Sequence, residues 1–238
     1  IAPRIIYRVN KEGISYNDKA GGINLVKQVF KYMFKRDGFL ALPSAPVLGF
    51  FKTRKELASP DIQVHFIPYR RVLKDGKRSL GKEPGITCTV NQNRPESKGS
   101  IHIKSNDPDE FPSIKFNFMS NQLDKDTLVD GVKLIRKLMQ SAPMKEFCDL
   151  EIQPGLDYSS DEDILNFIRD KAETVYHPVG TCKMGFDENA VVDKNLKVHG
   201  IQGLRIADAS IMPTLISGNT NAACMMIGER CADFILNN

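Results

Sequence analysis

The stretch "GITCTVNQNRPESKGSIHIKSNDPDEFPSIKFNFMSN" (residues 85–121) decides the fold class of this chain. It contains three short runs rich in β-branched or aromatic residues, and two polar clusters, 93–97 and 106–112, separate them. Asn, Asp, Pro and Ser in such clusters favour turns, and strands that are joined by short turns pair antiparallel. Together with the alternating run at 61–69, the stretch predicts an antiparallel meander.

Helical periodicity begins directly after this stretch. An apolar stripe that runs from Leu128 to Leu138 predicts a helix over 122–142. Further helices are predicted over 23–38, 159–172 and 221–236. Ser160 and Asp163 stand at the two positions of a capping box, and the last helix is mostly small or apolar, so we expect it to be well buried. The expected fold class is α+β, with an antiparallel sheet that carries helices on one face.

Composition excludes several classes of protein. The 238 residues are 41% hydrophobic and 26% charged, which is typical of a globular chain with a substantial core. The net charge of +4 is small and scattered, so we expect no nucleic-acid partner, and the densest basic stretch, 68–84, is expected to be a surface loop. Five cysteines without a CxxC pair predict neither a disulfide framework nor a zinc ribbon. No apolar run reaches the roughly 18 residues of a membrane span.

Most standard catalytic motifs are missing, but "YHPVGTCKMG" (176–185) carries a histidine in a distinctive setting. Pro178 restricts His177 to extended backbone geometry, and Gly180 lets another group approach closely. No second His, Cys or carboxylate stands at ligand spacing, so no metal site is predicted. A rigid, extended histidine suits proton transfer. From the residues alone, two roles stay open for His177: a buried structural side chain and a proton acceptor.

Two further places carry polar groups that suit a ligand. Asn219, Thr220 and Asn221 directly precede the last helix, where they either cap it or leave its N–H groups free to face a developing anion. Asp208 follows a short apolar run, where it either caps a turn or accepts hydrogen bonds from ligand hydroxyls.

Three stretches of the tail together resemble a known family: "YHPVGTCKMG" (176–185), "VVDKNLKVHGIQGLRIADASIMPT" (191–214) and "SGNTNAACMMIGERCADFI" (217–235). In order, spacing and identity they resemble the C-terminal segment of the glucose–methanol–choline (GMC) family of FAD-dependent oxidoreductases. Details such as "HPVGTCKMG" and "SGNTNA" resemble the insect glucose-dehydrogenase branch of the family. Residues 93–118 resemble the substrate-domain strands of the family less tightly.

The resemblance implies a two-part enzyme with FAD as the cofactor. Residues 1–186 would form the antiparallel-sheet substrate-binding domain, and residues 187–238 a strand–helix segment that returns to the FAD-binding α/β domain. The family carries its dinucleotide fingerprint further towards the N-terminus, in a part that we expect as a separate or missing chain. The opening "IAPRIIYRVN", which lacks an initiator Met, leads to the same expectation. The insect branch also implies an extracellular, secreted location.

The resemblance also implies roles for individual residues. His177 matches the catalytic histidine of the family, and Asn219 matches the second active-site position, which is His in some members and Asn in others. The residues that match FAD-contacting positions are Asp208, Ala209, Thr220 and Asn221. The implied reaction is oxidation of an alcohol, in which the histidine takes the hydroxyl proton while a hydride moves to flavin N5. A histidine side chain, which ordinarily titrates near 6.5, suits this task at about neutral pH.

Two alternatives stay open from the sequence. Some members of the family split hydroxynitriles with the same histidine, without redox use of the flavin. A non-catalytic member that is kept for binding or structure is the second alternative.

Overall fold

The structure is a computed structural model, and it describes residues 1–74 and 77–237. Packing divides the chain into two compact units: unit 1 comprises Ile1–Gln92 and Lys125–Glu173, and unit 2 comprises Asn93–Asp124 and Thr174–Asn238. The predicted domain border between residues 186 and 187 falls inside unit 2 and stays a prediction.

The described chain contains both strands and helices. The strands are β1 (Arg4–Val9), β2 (Val47–Phe51), β3 (Ile62–Ile67), β4 (Arg71–Lys74), β5 (Lys77–Leu80), β6 (Gly85–Gln92), β7 (Ser100–His102), β8 (Ser113–Lys115) and β9 (Cys148–Gln153). The helices are α1 (Tyr16–Lys19), α2 (Gly22–Lys35), α3 (Gln122–Met139), α4 (Ala142–Lys145), α5 (Asp161–Lys171) and α6 (Asn221–Leu236), and short 3₁₀ turns lie at Phe39–Ala41 and Ala209–Ile211.

The main sheet lies in unit 1, and its strand order is β2-β3-β6-β1-β9 with every neighbouring pair antiparallel. This arrangement, with helices of unit 1 beside an antiparallel sheet, confirms the predicted fold class. The predicted meander is confirmed for the pairs β3–β6 and β7–β8 but is wrong in between, because β6 pairs with β1, while β7 and β8 form a separate two-stranded sheet in unit 2. The physical reason is burial: β1 brings Ile5 and Ile6, which are 0% and 8% exposed, whereas every residue of β7 is exposed.

Two other parts of unit 1 differ from expectation. The basic stretch 68–84 was predicted to be a surface loop, but it contains strands β4 and β5, in which Val72 pairs with Ser79. Residues 75 and 76 of this stretch lie outside the described residues. The edge strand β9 was not predicted. Its apolar residues do alternate, from Cys148 to Ile152, but its pairing with β1 contains register shifts.

Helix α3 packs with its predicted stripe against the sheet of unit 1. Leu128 and Val132 are 2% and 0% exposed, which confirms the stripe. Gly131 permits a close approach, because a Cβ at this position would stand 2.5 Å from Cγ1 of Val90 on β6. Helix α5 begins with the predicted capping box, in which the Asp163 N–H donates to Ser160 Oγ at 3.1 Å.

The core of unit 2 consists of Val192, Leu196, Ile211, Met212, Ile227 and Cys231. Helix α6 buries only the last two of these, so the expectation of a well-buried helix is wrong: Met225 and Met226 are 63% and 57% exposed. The small and apolar residues of α6 are distributed around its whole circumference, whereas the described core of unit 2 covers only the side that carries Ile227 and Cys231. Between α5 and α6 the described chain forms isolated bridges and a 3₁₀ turn in place of strands.

Helix α2 is amphipathic, but its apolar face is likewise not buried in the described structure. None of its residues is buried, and Phe30 and Phe34 are 56% and 76% exposed within the described structure. No helix among residues 1–74 and 77–237 combines the length and the apolar character that a bilayer span requires.

Candidate active site

The segment that carries His177 has an unusual backbone. Tyr176, directly before it, adopts φ 62°, a left-handed conformation that costs a non-glycine residue free energy. The Tyr176 N–H donates to the Thr174 hydroxyl at 3.1 Å, which supports this bend. Pro178 follows, and Gly180 adopts φ 87°, which glycine tolerates without strain. The backbone thus bends on both sides of His177.

Two backbone hydrogen bonds fix the rest of this segment. The Cys182 N–H donates to the Ser210 carbonyl at 3.0 Å, and the Met184 N–H donates to the Ile211 carbonyl at 2.8 Å. Because Ile211 is 3% exposed in the core of unit 2, the histidine segment is attached to a rigid part of the unit. Precise placement of a reactive group requires such support.

The imidazole of His177 lies between two side chains. Its Nδ1 is 2.9 Å from Oγ1 of Thr220, and its Nε2 is 2.9 Å from the amide nitrogen of Asn219. The ring is half-buried, Asn219 is exposed and Thr220 is buried. The structure therefore brings together three of the predicted site residues and gives both ring nitrogens a partner.

The start of helix α6 lies at the same place. Thr220 is its N-cap residue, with φ −80° and ψ −12°, and its side chain makes no capping hydrogen bond within the described structure. The first N–H groups of a helix have no partner inside the helix, and they carry partial positive charge. Asn221, the first helical residue, is exposed. This helix end can therefore receive a negatively charged group.

Asp208 and Ala209 stand at the start of the 3₁₀ turn, Asp208 as its N-cap residue. Asp208 Oδ1 accepts from the Ser210 N–H at 2.7 Å, so Asp208 caps its own turn, as one of the two sequence interpretations expected. Asp208 is exposed, whereas Ala209 packs against the core of unit 2. Since one carboxylate oxygen serves the turn, the other can accept a ligand hydroxyl.

Two contacts at the site were not predicted. Arg94 donates to the Ser217 hydroxyl, which supports the loop two residues before Asn219. Its position in the turn "NRPES" gave no signal, because the partner lies far along the chain. The contact between the Thr220 side chain and His177 was also missed, since a threonine before a helix is normally interpreted as a cap.

Charges and metal ligands near this segment are few. Lys183 donates to both carboxylate oxygens of Asp187, at 2.8 and 2.9 Å, and this lowers the pKa of Asp187. Within the part of the chain that the structure describes, no three His, Cys, Asp or Glu side chains gather as metal ligands would.

Comparison with known proteins gives a consistent picture. The sequence profile of the C-terminal domain of the GMC oxidoreductases matches residues 95–228. The oxygen-dependent choline dehydrogenase of Escherichia coli O45:K1 (strain S88) is 45% identical over 187 residues, which are 79% of this chain and 33% of that protein. The enzyme of E. coli K12 is 44% identical over the same length. The chain thus spans about a third of these relatives.

Solved structures agree with this assignment. A variant of formate oxidase from Aspergillus oryzae superimposes with a TM-score of 0.87 at 25% identity, over 98% of this chain and 45% of that chain. An FAD-dependent oxidoreductase from Chaetomium thermophilum, at 19% identity, shares the fold with a TM-score of 0.79 over 98% of this chain and 47% of that one. The insect branch that the sequence suggested stays a prediction.

The residues at the start of helix α6 fit the cofactor of such proteins. The N-cap side chain of Thr220 is directed to His177, so the helix end keeps its N–H groups available to an anionic group, and Asn221 is exposed. The imidazole lies directly beside this helix end, where a reacting substrate could contact both. The chain belongs to the GMC oxidoreductase family, whose cofactor is FAD.

Proposed function

We propose that this chain forms the proton-handling part of an FAD-dependent oxidoreductase that oxidises an alcohol, with His177 as the base. One observation carries the proposal: the imidazole is held at both nitrogens, by Asn219 and by Thr220, beside the open start of helix α6. A histidine that is positioned in this way can accept a proton from a hydroxyl group placed next to it.

Asn219 and His177 together can bind the alcohol group. The Asn219 amide nitrogen, which contacts Nε2 in this structure, is a donor and suits the substrate oxygen. A hydroxyl that enters between the two side chains donates its proton to Nε2 and accepts a hydrogen bond from the amide. This arrangement orients the carbon–hydrogen bond, and positioning of this kind contributes a large part of enzymatic rate increases.

The proton leaves the hydroxyl for His177, and the carbon gives up a hydride, so that a carbonyl product forms. FAD, when bound, supplies the acceptor for that hydride at N5. Thr220 and Asn221 would place the helix end against the pyrimidine edge, where negative charge develops. Asp208 and Ala209 would meet the ribityl and pyrophosphate region, with Asp208 using the carboxylate oxygen that its turn leaves available.

We also propose that the remainder of the FAD-binding part comes from polypeptide outside this sequence. The sequence contains no dinucleotide fingerprint, and it spans a third of its curated relatives. Intact-mass measurement together with a visible spectrum of the purified protein tests this, because it detects a second chain and a flavin at once. A secreted location belongs to the same proposal and can be tested by fractionation of the native source.

The decisive experiment is anaerobic reduction. We expect the flavin absorbance at about 450 nm to bleach when a substrate alcohol is added without oxygen. Choline, the substrate in the name of the E. coli relatives, belongs in the first panel of alcohols. Bleaching should disappear in His177→Gln. Cleavage of a hydroxynitrile without bleaching would establish the lyase instead, and a bound flavin that no alcohol or hydroxynitrile affects would favour a non-catalytic member.

A further inference from the structure

The hydroxyl of Thr220 takes part in a contact that its place in the sequence does not predict. A threonine at an N-cap normally has extended backbone geometry and directs its oxygen to the second or third N–H of the helix. Thr220 has helical geometry instead, at φ −80° and ψ −12°, and makes no such bond. Its Oγ1 lies 2.9 Å from Nδ1 of His177, and the residue is only 6% exposed.

The two partners of the imidazole determine which ring nitrogen carries the proton. Asn219 presents its amide nitrogen to Nε2 at 2.9 Å, and an amide nitrogen only donates. Nε2 must therefore accept, so the proton of the neutral ring is on Nδ1. A hydroxyl oxygen can accept, so in this tautomer the Nδ1–H of His177 would donate to Thr220 Oγ1 across the 2.9 Å that separates the two atoms.

We propose that Thr220 is a positioning residue that holds His177 in the Nδ1–H tautomer, so that Nε2 keeps the lone pair that takes the substrate proton. This inference rests on the proposed function and deepens it. The tautomer is set by a neutral hydroxyl, whereas in a Ser-His-Asp triad a buried carboxylate performs the same task.

Thr220 and Asn219 have different parts in this arrangement. When Nε2 takes up a proton, Nδ1–H is still a donor, so the bond to Thr220 persists. The contact with Asn219 cannot persist in the same form, because a protonated Nε2 and an amide N–H are both donors. Thr220 therefore orients the ring in both protonation states, while Asn219 is released to the substrate oxygen.

Nitrogen NMR reads the tautomer without any need for turnover. This chain contributes four histidines to the ¹⁵N-histidine-labelled holoprotein, and the signal that is lost in His177→Gln is assigned to His177. We expect the Nδ1–H tautomer in the wild type and in Thr220→Ser, which keeps the hydroxyl. Thr220→Val keeps the shape but removes the hydroxyl, so we expect the neutral ring to populate the Nε2–H tautomer as well.

Kinetics supply the second measurement. We expect kcat for alcohol oxidation to fall about tenfold in Thr220→Val, the equivalent of one neutral hydrogen bond, with KM nearly unchanged and with recovery in Thr220→Ser. Thr87→Val is the matched control, because it removes an equally buried threonine hydroxyl that donates to the Tyr69 carbonyl at 2.8 Å in unit 1. We expect this control to lose stability without a change in tautomer.

The outcomes separate this inference from the proposed function. A wild-type His177 in the Nε2–H tautomer overturns the inference, and so does a Thr220→Val variant with unchanged tautomer and kcat. A tautomer shift in a protein that oxidises no alcohol overturns the proposed function alone. If Thr220→Val does not fold, the wild-type and Thr220→Ser spectra still decide the tautomer.

Discussion

The ion pair between Glu151 and Arg136 in unit 1 is the contact whose loss we expect to cost the most stability. The two side chains are 2% and 13% exposed. Arg136 donates from Nε and Nη2 to the Glu151 carboxylate at 2.8–3.2 Å, and the Tyr7 hydroxyl donates to it at 2.9 Å. Burial, and then the charge of Glu151, raise the pKa of Tyr7, so that the hydroxyl stays a donor.

The substitution Glu151→Gln keeps the volume of the side chain but removes its charge. The guanidinium of Arg136 then lacks a counter-ion, and the new amide turns donors towards donors. Loss of one partner of a buried pair costs about 3–5 kcal/mol. Because Arg136 keeps 13% exposure, the lower end of this range applies. A loss of about 3 kcal/mol lowers the Tm of a chain of this size by roughly 6–12 °C.

A matched control lies on the same strand as Glu151, β9. Asp149 of β9 accepts two hydrogen bonds from Arg8 of β1, at 3.0 and 2.7 Å, but these side chains are 37% and 50% exposed. Solvent screens such a pair, so Asp149→Asn should leave the unfolding midpoint nearly unchanged. Urea unfolding that is followed by circular dichroism compares the two variants. Equal shifts in the midpoint would refute the reasoning, since burial would then not explain why the Glu151–Arg136 pair contributes more to stability than the Asp149–Arg8 pair.

Three further results are expected. His177→Gln should lower the turnover rate on the order of 10²–10⁴-fold while the Tm stays near that of the wild type, and a variant that keeps its rate would exclude the histidine as the base. The hydroxyl and then the backbone N–H of Ser160 lower the pKa of Asp163, so its stabilising effect is present above the ordinary aspartate pKa and is lost as the pH falls through the lowered value. The stability difference between wild type and Asp163→Asn should therefore disappear in acid, and a constant difference down to low pH would contradict this. Burial, and then a neighbouring carboxylate, raise the pKa of Cys148 to about 11, so alkylation by iodoacetamide should be slow near neutral pH and accelerate as the pH approaches that value. Peptide mass spectrometry measures the rate, and rapid labelling at neutral pH would disprove it.

Local signals in the sequence were sufficient for most elements. The stripe of α3 and the capping box of α5 are encoded within a few residues, and both were predicted correctly. Strand pairing is not local. β1 lies next to β6 in the sheet, although about 80 residues separate them in the sequence, because its isoleucines bury more surface than β7 could. The exposure of α2 and α6 was also outside the reach of periodicity, which indicates an apolar face but not what covers it.

The candidate site divides in the same way. The resemblance pointed to His177 and Asn219, and the structure places Nε2 of His177 2.9 Å from the amide nitrogen of Asn219, although the two residues are 42 positions apart in the sequence. Asp208 shows the limit of such inference, because its hydrogen bond to Ser210 satisfies the turn-capping interpretation and leaves its role towards FAD as a proposal. A side chain that serves the backbone can still offer its second oxygen to a ligand.

The helix end at Thr220 connects these observations. The Thr220 hydroxyl could cap α6 only from an extended backbone. It contacts His177 instead, from a helical backbone, so it does not cap the helix. The contact with His177 costs the helix about 1 kcal/mol of stability from the absent capping hydrogen bond. It also leaves the N–H groups of the first turn without a capping side chain from Thr220. Both consequences would suit the proposed reaction, since the ring would gain a fixed tautomer and the helix end would gain room for developing negative charge. A local rule of stability is therefore broken at the place where the chemistry is expected, and the packing of Ile227 and Cys231 in the core of unit 2 helps to hold the helix without its cap.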